Sequence, residues 1–326
     1  MTVVYVAVAA LVFLVTVISL RFLIPKLRSM KMGQKILDIG PRWHKSKEGT
    51  PTMGGLAFAI PTTVVCVIAM LYMHFSGKST SVLPLLLTLL LAVGNGAIGV
   101  IDDLTKFKKQ QNEGLTAPQK FALQLAMAGA FIALLNLYGE IDTSLPIPFT
   151  TYELELGWFY YVFALVFITG IINSVNLTDG IDGLASSVTL VVAIFLSVLA
   201  FTSRGIELAV LGAAMVGATL GFLVYNFYPA RVFMGDTGSL FLGGLVAGAA
   251  FMIDNPLIVA IVGIVYICEA LSDIIQVGVY KLTHKRVFKM APIHHHFEKC
   301  GWSERKIVFV FSAVTAICSV VAYFGA

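Results

Sequence analysis

Residues 83–106 read LPLLLTLLLAVGNGAIGVIDDLTK. No charge occurs from Leu83 to Ile101, a run about as long as the roughly 20 residues a helix needs to cross a bilayer core. The run then meets Asp102, Asp103 and, one turn on, Lys106. A membrane span that ends on two adjacent carboxylates is the unit from which the rest of the chain is read.

Similar apolar runs lie at 2–25, 52–74, 119–138, 157–175, 184–203, 208–227, 239–253, 257–280 and 306–325, which makes ten predicted helices in all. The run at 239–253 is short and is expected to pack among the others. Of 326 residues, 58% are hydrophobic and only 12% charged, against about 25% charged in soluble domains. A soluble core cannot bury so many long apolar stretches. The chain therefore reads as an all-α polytopic membrane protein, one domain over residues 1–326, lying in a lipid bilayer. Thr2–Leu20 lacks the basic start and small-residue cleavage site of a signal peptide and reads as the first span. Cys66, Cys268, Cys300 and Cys318 form no CxxC pair, so neither a disulfide framework nor a zinc site is implied.

Basic residues set the orientation. One alternating set of loops holds Lys26, Arg28, Lys31, Lys35, Arg42, Lys45 and Lys47, then Lys106, Lys108, Lys109 and Lys120, then Arg231, then Lys281, Lys285, Arg286, Lys289, Lys299, Arg305 and Lys306. The opposite set holds Lys78 and Arg204, and Arg21 falls inside the first span. Positive residues stay cytoplasmic, so both termini are expected outside and the basic loops inside. The net charge of +4 is accounted for by this asymmetry, and no nucleic-acid partner is implied. One outward segment, Gly139–Gly157, contains Pro146, Pro148 and short alternating stretches. A small hairpin is compatible with it, and a plain connector is the simpler expectation.

The motifs fall on the basic side. Two adjacent carboxylates at a membrane boundary repel each other and lose hydration, so Asp102 and Asp103 call for a divalent cation, a cationic group or, in the plainest case, solvent at a helix end. Lys106 is expected to pair locally with Asp103. NLTDGIDGLA carries Asn176, Asp179, Asp182 and Gly183 without a basic residue. In a helical turn, Asp179 and Asp182 would share one face. YNFYPARVFMGDTGS brings Asn226, Phe233, Gly235 and Asp236 to the mouth of the next span. Asp236 suits a metal ligand or a nucleophile, and equally a helix cap. APIHHHFEKCGW places His294, His295 and His296 in sequence, so the three cannot all point one way; a compact three-histidine metal site is not expected, and one or two could bind phosphate or a sugar hydroxyl. Glu269, Asp273 and Gln276 share a face of the ninth predicted helix, and such acids need partners. GKST at 77–80 lacks the glycine of a phosphate-binding loop and is set aside. Carboxylates, lysines and histidines gathered on one face suit magnesium and a phosphate-bearing substrate. Their place at the bilayer boundary suggests one lipid substrate and one soluble one.

DDLTK, NLTDGIDGLA, NFYPARVFMGDTGS and PIHHHFE, together with GTPTMGG (Gly49–Gly55), resemble the phospho-N-acetylmuramoyl-pentapeptide transferase family, within the polyprenyl-phosphate N-acetylhexosamine-1-phosphate transferases. The resemblance runs from about Lys45 to Glu298. It implies magnesium-dependent transfer of phospho-MurNAc-pentapeptide from its UDP-linked form to undecaprenyl phosphate, giving lipid I and UMP, in a bacterial plasma membrane. It implies that Asp102, Asp103, Asp236, Lys106, Lys120, His295 and His296 act at the chemistry, with Asp236 the magnesium ligand and Asp102 activating the lipid phosphate. Lys47, Thr52, Asn176, Asp179, Asp182, Gly183, Asn226, Phe233, Gly235, Gln276 and His294 fall at substrate-binding positions, with Phe233 placed to stack on uracil. Members of the family are often homodimers. A related enzyme taking UDP-GlcNAc and an ion-coupled transporter are the competing readings. Direct attack by the lipid phosphate and a covalent intermediate on Asp236 are both open.

Overall fold

The computed structural model describes residues 2–30, 47–77, 81–109 and 114–326. Lys31, Lys35, Arg42, Lys45 and Lys78, counted above for orientation, lie outside the described residues, as do Ser79, Thr80 and the side chain of Arg204.

Each apolar run forms helix. The elements are α1 (Thr2–Ser29), α2 (Leu56–Phe75), α3 (Leu83–Lys109), α4 (Ala117–Leu137), α5 (Phe159–Thr178), α6 (Leu184–Leu199), α7 (Ile206–Asn226), α8 (Gly235–Met252), α9 (Pro256–Val262), α10 (Ile264–Thr283), α11 (Ile293–Lys299) and α12 (Glu304–Tyr323). Eight of them, α1 to α7 and α12, are long and apolar enough to cross a membrane. Large apolar side chains such as Phe22, Val166, Phe309 and Ile317 stand exposed on their outer faces. On a soluble protein such surfaces would aggregate, whereas here lipid covers them. The chain is a multi-pass membrane protein.

The ninth predicted helix, 257–280, is not one rod. It breaks at Gly263 into α9 and α10, which are bent by 80°. The apolar pattern ran through Gly263 unbroken, which hid the bend, although glycine is where helices kink. The short run at 239–253 behaves as expected. Its helix α8 starts earlier, at Gly235, and is buried from Thr237 to Phe251. It packs most extensively against α3, at a separation set by small residues. A methyl on Gly248 would lie 2.5 Å from the Thr88 side chain, and one on Gly244 would lie 2.6 Å from the Ala92 backbone. Without a hydrophobic drive between helices in lipid, such close backbone approach is what holds a pair together.

The segment at 139–157 does form a small hairpin, β1 (Ser144–Pro146) paired antiparallel with β2 (Glu153–Glu155), Leu145 opposite Leu154. At the other end of the bundle the C-terminal ends of α3 and α5 meet the N-terminal ends of α4, α6 and α8. That convergence builds the site.

Candidate active site

Asp102 and Asp103 lie on the last turns of α3, both buried. Asp236 lies in the first turn of α8, where the helix dipole favours a negative charge. It is not the cap considered above, because α8 begins one residue before it and Met234 holds the capping position. The amides at that helix start would lack partners, and Asp103 supplies them from outside. Its Oδ1 accepts from the Asp236 N–H at 3.3 Å, and its Oδ2 accepts from the Thr237 N–H at 3.0 Å and the Thr237 hydroxyl at 2.7 Å. Gly235, at φ +69°, makes the turn possible, since a side chain there would come within 2.6 Å of Asp103 Oδ2. Gly99 matters equally, because a methyl on it would overlap the Asp236 backbone.

The lysine pairing differs from the sequence expectation. Lys106 reaches Asp102, four residues back on the same helix face, with Nζ 2.7 Å from Oδ2, rather than Asp103. Asp103 is turned instead toward α8. Lys106 Nζ also lies 2.7 Å from Asp236 Oδ2, and Lys120 Nζ lies 3.1 Å from the same oxygen. Lys120 is aimed there by the start of α4, where the Gln119 side chain accepts from the Thr116 N–H at 3.1 Å. Asn176, near the end of α5, donates to Asp236 Oδ1 and to Ser239 Oγ, both at 2.7 Å. Asp102 Oδ1 accepts from the Leu115 N–H at 2.8 Å, while its Oδ2 is buried against the Lys106 ammonium.

Oxygens of Asp102, Asp103 and Asp236 all lie within 4.8 Å of one another. Three carboxylates this close, two of them buried, fit a hard divalent cation that prefers oxygen ligands. Asp179 lies nearby. Burial, and then the charges of Asp236, Asp103 and Asp182, push its carboxyl well above the usual range.

Asp179 and Asp182 do not share a face, because residues 179–183 form a turn rather than a helix, with Gly183 at φ +77°. Asp182 points away to a structural network. It meets Lys47 Nζ at 2.7 Å and accepts from the Ala230 N–H at 2.8 Å. Lys47 also meets Glu304 Oε2 at 2.6 Å, which in turn accepts from the Asp182 N–H at 3.0 Å. Asn226 is buried and internal, donating to the Val232 carbonyl at 3.0 Å and accepting from Ser186 Oγ at 3.1 Å. Phe233, half-buried, sits where its loop docks on residues 51–54. Its N–H donates to the Pro51 carbonyl and its carbonyl accepts from the Gly54 N–H, both at 2.8 Å. Thr52 lies in that docked stretch, next to Gly235. Gln276 accepts from the N–H groups of Val287 and Phe288, at 3.1 and 2.9 Å, and so ties down a loop.

The three histidines lie on the short helix α11 and diverge. His294 is buried against Glu269, 3.0 Å away. His295 Nδ1 lies 2.6 Å from Glu298. His296 Nδ1 accepts from the Lys289 N–H at 3.1 Å. Thr237, Glu298 and Glu304 escaped the sequence reading. Glu304 alone carried a signal, as the one acid beside Arg305 and Lys306 at the start of the last span.

A model of glycosyl transferase family 4 matches residues 82–254, and a phospho-N-acetylmuramoyl-pentapeptide-transferase signature matches residues 47–58. A phospho-N-acetylmuramoyl-pentapeptide-transferase of Clostridium perfringens is 46% identical over 311 residues, 95% of each chain. One from Clostridium acetobutylicum is 47% identical over 95% of each chain, and one from Clostridioides difficile is 44% identical over 97% of each. At that identity and over nearly the whole length, this chain belongs to the phospho-N-acetylmuramoyl-pentapeptide-transferase family.

Proposed function

We propose that the chain transfers phospho-MurNAc-pentapeptide from UDP-MurNAc-pentapeptide to undecaprenyl phosphate, yielding lipid I and UMP, with magnesium as cofactor. The observation that carries this is the convergence of Asp102, Asp103 and Asp236 with Lys106 and Lys120 at one end of the bundle. The relatives' name supports the donor. An intramembrane relay for transport would instead need acids near mid-membrane, whereas these three gather where helices begin and end.

Asp236 and its carboxylate neighbours would hold magnesium, which there supplies neutralisation of pyrophosphate oxygens and stabilisation of the leaving UMP. Lys106 and Lys120 add two cations on the same side. Asp236 is a poor nucleophile, because Oδ2 is held by two lysines and Oδ1 by Asn176. That favours direct attack by an oxygen of the lipid phosphate over a covalent intermediate. Asp102, paired through Oδ2 with Lys106, is the carboxylate assigned to accept a proton from that phosphate. Phe233, half-buried beside the site, offers a face for the uracil ring.

Ten crossings follow if α8 spans and α9 with α10 counts as one bent span. Both termini then face outward and the site faces the cytoplasm, as the basic ends of α1, α3 and α10 favour. The location is a bacterial plasma membrane, and by family resemblance the protein works as a homodimer. Purified protein supplied with undecaprenyl phosphate, magnesium and either UDP-MurNAc-pentapeptide or UDP-GlcNAc tests the reaction. UMP is expected from the first donor. UMP from UDP-GlcNAc alone would overturn the assignment.

A further inference from the structure

Glu269 lies on α10, fully buried, and its partner is His294, fully buried at the start of α11. Glu269 Oε2 lies 3.0 Å from His294 Nδ1 and accepts from the His294 N–H at 3.5 Å. A carboxylate on Nδ1 fixes the ring's orientation and places the proton on that nitrogen. The opposite ring edge, Nε2, then faces the turn after α5. A methyl added to Gly180 would overlap His294 Nε2 and Cε1. Gly180 follows Asp179 directly, and the His294 ring lies 4.1 Å from that of His295. One imidazole thus meets the Glu269 carboxylate of α10, the Asp179–Gly180 turn through its far edge, and the tilted ring of His295.

Packing alone does not account for this pair. Glu269 Oε1 and His294 Nε2 are both buried without a hydrogen-bond partner, and each such atom costs about 1–3 kcal/mol. Two apolar side chains of similar volume would fill the space with no such cost. What they would lack is a directed contact at a fixed length.

We propose that Glu269 and His294 are positioning residues that set the gap between the Asp179–Gly180 turn and His295, and thereby the affinity for the nucleotide-sugar donor bound across it. The inference rests on the reading of the chain as a UDP-sugar phosphotransferase. It assigns His294 to the scaffold of the site rather than to substrate contact. The groups nearest the chemistry, Asp102, Asp103 and Asp236, are held independently by the α3–α8 pairing.

Steady-state kinetics of the purified full chain, varying donor and lipid acceptor separately, test this. Glu269→Leu should raise the donor KM about tenfold while leaving the acceptor KM within about twofold and kcat within about threefold. Glu269→Gln, whose amide oxygen still accepts from Nδ1–H, should recover most of that loss. An equal rise in both KM values, or a donor KM unmoved in Glu269→Leu, overturns the proposal. Should Glu269→Leu not fold, a cycle decides. Gly180→Ala should raise the donor KM in the wild-type background and have little further effect alongside His294→Ala, whereas additive effects contradict the contact. The 15N shifts of His294 give a readout that needs no turnover. Nδ1 should be protonated in the wild type and lose that preference in Glu269→Leu; an unchanged spectrum contradicts the pair. Absence of UMP from the wild type with every donor would sink the proposed reaction, while the spectrum still tests the pair.

Discussion

Thr237 gives both its backbone N–H and its hydroxyl to a single oxygen of Asp103, at 3.0 and 2.7 Å. The start of α8, and with it Asp236, is therefore fixed by a side chain from α3, a helix more than a hundred residues earlier in the chain. The site is assembled by one helix capping another.

Removing half of that anchor should be measurable. Thr237→Val keeps the N–H contact and loses the hydroxyl, leaving a buried carboxylate oxygen short of one donor. A destabilisation of about 1–2 kcal/mol is expected, read as a lower melting temperature in detergent. kcat should fall with little change in either KM, because Asp236 is displaced and no substrate contact is removed.

Glu304 ties Lys47 to the Asp182 turn. Glu304→Gln should release Lys47 in part and raise the donor KM roughly three- to tenfold, with kcat nearly preserved. Isothermal titration of UMP onto wild type and variant provides an independent check, with the same direction of change expected.

Asp179 carries a carboxyl whose value is raised, so the folded protein binds its proton more tightly than the unfolded chain does. Such a group costs nothing below its unfolded value of about 3.9. The cost grows as pH rises from that value to the raised folded one, and is complete above it. Asp179→Asn should therefore raise the melting temperature of the nucleotide-free protein at pH 8, and the gain should shrink as pH falls. A variant less stable than wild type at pH 8 would contradict the assignment of Asp179 as an uncompensated charge. The same variant should bind donor more weakly, a trade of affinity for stability.

Gly99 and Asp236 are in backbone contact, so Gly99→Ala should push α3 from α8 and cost at least about tenfold in kcat. Gly170→Ala, inside helix α5 with nothing within 4 Å of the added methyl, serves as the comparison for a helical methyl that meets no neighbour.

Much of this was legible before any coordinates. The spans follow from apolar runs, because lipid demands about 20 uncharged residues per helix. The aspartates stood out because charge at a span's mouth is costly. What stayed hidden was directional. Asp102 and Asp103 are adjacent, so sequence spacing could not say which faces Lys106 and which faces α8. Asp182 looked like a partner of Asp179, but the glycine-rich turn rotates it onto Lys47. Gln276 and Asn226, which the resemblance places at substrate-binding positions, also make hydrogen bonds to backbone that hold loops. The bend at Gly263 interrupts no apolar pattern, so hydropathy could not register it.

The central claim is that magnesium acts at Asp102, Asp103 and Asp236, and UMP release measured against free Mg2+ tests it most directly. For the wild type the rate should rise saturably from zero in chelator. Asp236→Asn, folded by melting temperature, should fall by about a thousandfold and show no recovery at high Mg2+. Turnover in chelator at the wild-type rate, or a fully active Asp236→Asn, would contradict it.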